Sequence, residues 1–201
     1  MRKIGVLYAG AFFHFRAFSE GKFAQFIHQI IYLPELTPQD LKDLDILWVP
    51  SQLPLNLLDR HQATIRAFAA SGGIVVAMGP QPNDLIPNTA WIDRETNFWW
   101  WLDSSQSSGL KLDTPDYPLF DYITLADATW HQHGFFKPLN QVTSLISKEN
   151  EGTIFYLDKT PEFGTWLVTC LDPEYHFGSY FMPATEKFLE GFLPWLAYGE
   201  I

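Results

Sequence analysis

Short, continuous apolar runs that end in turn residues recur along the first eighty positions. Lys3 to Ala9 closes on Gly10, and Gln29 to Leu33 stops at Pro34. Leu44 to Val49 ends at Pro50, and Gly73 to Met78 runs into Gly79-Pro80. Apolar residues at successive positions, not alternating ones, predict strands covered on both faces. Later runs at Val142 to Ser147, Thr153 to Leu157 and Trp166 to Leu171 predict three more strands. Between the runs lie helical patterns. Leu57, Leu58, Ile65, Phe68 and Ala69 fall near helical spacing, so Leu55 to Ala70 reads as a helix stopped by Ser71-Gly72-Gly73. Thr37-Pro38-Gln39-Asp40 has the order of an N-cap, a first-turn proline and an acidic first turn, opening a short helix to Asp43. Pro183 to Tyr198 carries Phe188, Leu189, Phe192, Trp195 and Leu196 on one broad face, with Gly199 just past its end.

Strands alternating with helices predict an α/β domain over residues 1–201, with a largely parallel sheet and helices on both faces. In such sheets the ligand crevice lies outside the carboxyl ends of the strands. That rule selects Gly10 to His14, Pro50 to Leu53, Gly79 to Asp84 and the turn after Leu171. Residues 80–139 show little periodicity and many aromatics, and read as an irregular insertion.

Charge narrows the partners. Thirteen Lys and Arg against 23 Asp and Glu give a formal net charge of −10. Nucleic acid and an anionic membrane surface are both poor matches for that balance. A single cysteine permits no intramolecular disulfide, and a reducing cytoplasm is the expected location. Arg2-Lys3, the apolar run to Phe13 and Ala9-Gly10-Ala11 have the outline of a short signal peptide. The same run reads as a first buried strand ending at a glycine turn, and that reading is taken. No stretch reaches the ~18 apolar residues of a membrane-spanning helix.

Two segments carry candidate chemistry. Trp130-His131-Gln132-His133-Gly134 offers two imidazoles on one side of an extended backbone. Leu171-Asp172-Pro173-Glu174-Tyr175-His176 follows a predicted strand, so its polar groups belong at the crevice. His131, His133 and His176 are candidate ligands of a divalent metal, while Asp172, Glu174 and His176 are candidate acid–base groups. Without a metal, the same residues with Gly79, Pro80 and Gln81 line a pocket for a small polar ligand, and no cofactor is then needed. Local roles compete with both readings: Asp-Pro starts turns, and a His pair can simply bond backbone or water. Phe98-Trp99-Trp100-Trp101-Leu102 is either a stacking platform for sugar rings or a self-association surface. The second is favoured, with a homodimer as the expected form. No Gly-x-Gly-x-x-Gly follows a strand, and no Gly-Lys-Ser/Thr loop or Gly-x-Ser-x-Gly elbow exists. Cys170, inside a predicted strand, reads as a core residue.

Leu44 to Pro50, the helix ending Phe68-Ala69-Ala70-Ser71-Gly72-Gly73 and the strand Ile74 to Gly79 together resemble the class I glutamine amidotransferase-like superfamily. Within it the chain looks most like the ThuA-like, trehalose-utilisation branch, where a polar motif in the later half and a Gly-His or Asp-Pro-x-x-His segment after the last strand frame the crevice. Here those are Trp130 to Gly134 and Asp172 to His176. The resemblance implies a flavodoxin-like three-layer sandwich. It also implies a Cys nucleophile on an elbow at Ala77-Met78-Gly79-Pro80-Gln81, but no Cys stands there. The family's His-Pro-Glu falls at Asp172-Pro173-Glu174, keeping Pro and Glu, with His176 displaced. Without a thiolate there is no thioester route to ammonia, so glutaminase activity is expected to be absent. The expected function is non-catalytic in that sense: binding of a small polar ligand, sugar-related by analogy with carbohydrate metabolism. The alternatives are a metal-dependent hydrolase or isomerase using His131, His133 and His176, and a self-associating structural protein.

Overall fold

In a computed structural model of the chain, residues 1–81, 84–95, 103 and 105–201 are described. Among the described residues one ten-stranded sheet runs in the order β2-β1-β3-β4-β10-β9-β7-β5, with β8 pairing β9 and β6 pairing β8. Its parallel half is β1 (Ile4–Tyr8), β2 (Ile27–Tyr32), β3 (Ile46–Val49), β4 (Ile74–Met78) and β10 (Thr165–Thr169). That gives the flavodoxin-like order 2-1-3-4-5, with β10 in the fifth place. The burial of β3 at every position matches its continuous apolar run.

The other half departs from the expected parallel sheet. β9 (Gly152–Asp158) runs antiparallel to β10 and also pairs antiparallel with β8 (Thr143–Lys148) and β7 (Gly134–Pro138). The sheet is therefore mixed. Nor is the segment 80–139 irregular throughout: β5 (Thr89–Asp93), β6 (Leu110–Leu112) and β7 extend the sheet from within it. Polar residues within them, Thr89 and Asp93 in β5, Lys111 in β6 and Lys137 in β7, break the continuous apolar run that marks β3 and β4.

Helices cover both faces. On one, α1 (Phe12–Ser19), α4 (Pro173–Gly178) and α5 (Ala184–Tyr198) pack together, and Trp48 of β3 meets Phe18 of α1 and Phe192 of α5. On the other, α3 (Leu55–Ala70) packs with α2 (Pro38–Leu41) and against β4 and β10. The Asp40 carboxylate accepts the Thr37 backbone N–H at 2.8 Å, which fixes the start of α2. Two of these helices were not legible as such: Phe12 to Arg16 forms α1, and Asp172 to His176 forms the start of α4 instead of a simple turn. Among the described residues no helix is long and apolar enough to cross a membrane.

Candidate functional site

Four parallel strands deliver polar groups to one end of the sheet. β1 leads through Gly10 into α1 and His14, β3 leads through Pro50 to Ser51, β4 leads into Gly79, and β10 leads to Asp172 and α4. His14, Ser51, Gln81, Asp172, Glu174 and His176 are all buried there. β7 pairs β9 through Phe136 opposite Thr153, and the residues just before β7 bring His131 over the same end.

Glu174 is fully buried, and its Oε1 accepts the Ser51 backbone N–H at 2.6 Å. Its Oε2 meets no protein donor. The Ser51 hydroxyl faces the same carboxyl without completing a hydrogen bond. Burial pushes the Glu174 carboxyl up to about 7, against the Ser51 N–H that favours the charged form, while the nearby Asp172 charge adds to the rise. Gly79 explains how Ser51 comes so close. Its φ is +71°, and a Cβ added there would clash with the Ser51 Cβ. Within the stretch Ala77 to Gln81, to which the resemblance points for a nucleophile, Gly79 therefore has no room for a side chain. Cys170 is buried beside Asp172, and burial pushes its thiol up, which keeps it protonated.

Asp172 anchors the second group. Its Oδ1 accepts the Trp130 Nε1–H at 3.1 Å and lies 3.2 Å from His176 Nε2. Burial works against the Asp172 charge, but His176, Trp130 and His131 outweigh it and hold the carboxyl below its ordinary value. The His131 ring stands edge-on to His176 at 4.9 Å and to His133 at 5.3 Å. Burial lowers His131 to about 4 despite the attraction of Asp172, so the ring is neutral at pH 7. Phe181 lies against His176 at 5.4 Å and shields it from solvent.

The structure thus brings His131, His133, Asp172 and His176 together, and places Glu174 with Ser51 and Gly79 beside them. Pro80 follows Gly79, and Gln81 is buried with its Nε2 donating to the Met78 carbonyl at 3.0 Å and its Oε1 unpartnered. Among the described residues no group of three His, Cys, Asp or Glu is arranged to hold a metal ion. Trp99 to Trp101 lie outside the described residues. Sequence reasoning missed His14 and Ser51. His14 is 1% exposed, neither ring nitrogen has a protein hydrogen-bond partner, and burial lowers it to about 4 against the pull of the Ser51 backbone. The crevice rule did select the turns holding both residues; nothing in the sequence marked their side chains as inward.

No protein-family profile matches the chain. No curated protein sequence matches it at a significant level. Solved structures do resemble it. A candidate GMP synthase component from Thermoplasma acidophilum superposes with a TM-score of 0.56 at 12% identity, covering 94% of this chain and 92% of that one. The exo-β-1,4-mannosidase Op5Man5 from Opitutaceae bacterium strain TAV5 superposes with a TM-score of 0.53 at 8% identity. That match covers 98% of this chain and only 36% of the mannosidase, so the chain spans about a third of that enzyme's length. At such identities the likeness speaks for the fold alone: an α/β sheet with helices on both faces.

Proposed function

We propose that the chain is a glutamine amidotransferase-like protein without glutaminase activity that binds a small, hydroxyl-rich ligand at the carboxyl ends of its parallel strands. One observation carries the reading: Ser51 Oγ, Gln81 Oε1, Glu174 Oε2, the ring nitrogens of His14 and Nδ1 of His176 are buried at one end of the sheet with no protein hydrogen-bond partner. Each such group costs about 1–3 kcal/mol if left unsatisfied. A polyol or sugar matches the set, because every hydroxyl both donates and accepts. The mannosidase likeness fits a sugar-related ligand, as does the ThuA-like branch. The crowding of Gly79 against Ser51 supports the loss of the nucleophile.

The test is a thermal-shift titration with sugars, polyols and sugar acids, run with wild type and Ser51→Ala. A ligand at 100 times its Kd stabilises the folded state by about 2.7 kcal/mol, so a matching compound raises Tm by several degrees. Ser51→Ala is expected to weaken that rise. No stabilising compound, or an undiminished rise in Ser51→Ala and in Glu174→Gln, overturns the reading. Ammonia release from glutamine that depends on a residue of this chain overturns its negative half.

A further inference from the structure

Resting on that binding reading and going beyond it, we propose that the cluster is a proton-transfer site for small α-hydroxycarbonyl compounds, with Glu174 as the acid and the Asp172-backed imidazole of His176 as the base. The two carboxyl groups of one short segment are held in opposite ways. Asp172 Oδ1 takes the Trp130 N–H and lies against His176 Nε2, an arrangement that orients an imidazole. His176 Nδ1 remains buried and without a protein partner, so it is the atom left to accept a proton. Glu174 is fixed through Oε1 by the Ser51 N–H, and its Oε2 carries the available proton.

Burial and the Asp172 charge keep Glu174 protonated up to about pH 7, while His176 and Trp130 keep Asp172 charged. Neighbouring groups whose environments push their proton affinities apart divide naturally into acid and base. Both groups lie at the carboxyl ends of the parallel strands, Glu174 against Ser51 and His176 against Asp172 and His131. That suits a reaction that removes a proton at carbon and adds one at oxygen. His176 Nδ1 takes the C–H proton next to the carbonyl, and the electron pair left on carbon forms the C=C bond. The carbonyl π pair moves to oxygen, which takes the Glu174 proton and gives an enediol. In the second half the Glu174 carboxylate takes the proton of the neighbouring hydroxyl, and imidazolium returns its proton to the former carbonyl carbon. The net change is an aldose–ketose shift that needs no oxidant and no co-reactant.

The experiment follows dihydroxyacetone by proton NMR in D2O with the full chain, and measures binding of the same probe by saturation transfer. Glycolaldehyde and D-fructose are run beside it, and glycerol, which has no carbonyl, is the blank. The expected result is exchange of the hydrogens next to the carbonyl above a heat-denatured control, reduced about 100-fold or more in both Glu174→Gln and His176→Asn. Binding without exchange overturns this inference and leaves the binding reading standing. No binding of any of the three carbonyl probes overturns it as well, and the binding reading is then judged on its own titration. Exchange that persists undiminished in either variant overturns the assignment. If a variant does not fold, wild type decides alone: glycolohydroxamic acid, which mimics the enediol, is expected to suppress exchange with at least about tenfold tighter binding than dihydroxyacetone. Equal or weaker binding overturns the inference.

Discussion

At the amino ends of β3 and β4 the chain leaves an open groove of about 830 Å³, lined by Arg2, Lys42, Asp45, Thr64, Ser71 and Gly72 among others. At the carboxyl ends of the same strands the polar groups are packed out of solvent. Several polar groups of the groove are already satisfied: Asp45 accepts the Lys3 N–H at 2.7 Å, Ser71 Oγ donates to the Phe68 carbonyl at 2.9 Å, and Arg2 Nη1 donates to the Leu196 carbonyl at 2.9 Å. The buried end holds a cluster of unpartnered polar atoms, and burial displaces the proton affinities of His14, His131 and Glu174 there. Open volume and chemistry therefore sit at opposite ends of one sheet. Unsatisfied buried atoms are the better guide to function, because a ligand can complete what the protein leaves unpaired.

Two glycines break the comparison most sharply. Gly79→Ala at the buried end meets Ser51 and also holds an unfavourable φ, so it is expected to cost about 4 kcal/mol. Gly72→Ala at the open end has φ +103° but nothing within 4 Å, and only the backbone cost of about 1 kcal/mol applies. Denaturant unfolding of both variants checks the ratio. Equal losses would mean that the approach of Gly79 to Ser51 is not what confines that position.

Glu174→Gln comes next. An acid raised from 4.5 to about 7 stays protonated in the fold while the unfolded chain ionises, so it costs stability as pH rises from about 4.5 to 7. The amide keeps the Oε1 acceptor and cannot ionise. The stability of Glu174→Gln relative to wild type is therefore expected to grow by about 3 kcal/mol between pH 4.5 and pH 8, then stay flat. A parallel pair of curves would show that Glu174 titrates normally.

The imidazoles act on the acid side. His131 is lowered from 6.5 to about 4, so the unfolded chain binds a proton that the fold refuses, and stability falls as pH drops through that window. His131→Gln should remove about 2 kcal/mol of the loss between pH 6.5 and pH 4, less than the full shift implies because this ring is 8% exposed where Glu174 is not. His14, lowered over the same range, leaves part of the acid loss in place in that variant.

Much of the parallel half was legible, for a physical reason. Strands buried on both faces must be apolar at every position, and Ile46–Val49 and Ile74–Met78 announce themselves that way. β5 and β7 pair at the far edge of the sheet, and Lys137 in β7 is exposed, so their pattern is diluted. α1 was hidden because Phe12 and Phe15 point outward, which blurs its apolar face. The site was legible where the crevice rule and residue chemistry coincided, at His131, Asp172, Glu174 and His176. Ser51 and His14 escaped because their roles depend on which way each packs, and that is set by Gly79 and by α4.

The smallest effect tests the open end. Thr37 is exposed near the rim of the groove, its hydroxyl donates to Asp40 at 2.7 Å, and these contacts hold the Asp40 carboxyl below its ordinary value. Thr37→Ala deletes the hydroxyl bond but keeps the backbone N–H that reaches the same carboxylate. A lost helix-start contact of this kind costs about 1 kcal/mol. The deleted hydroxyl carries no charge, so the loss should be nearly the same at low and high salt, and it should leave any ligand-induced rise in Tm unchanged. A ligand response that falls with Thr37→Ala and survives Ser51→Ala would move the binding site to the groove and reverse the comparison between the two ends.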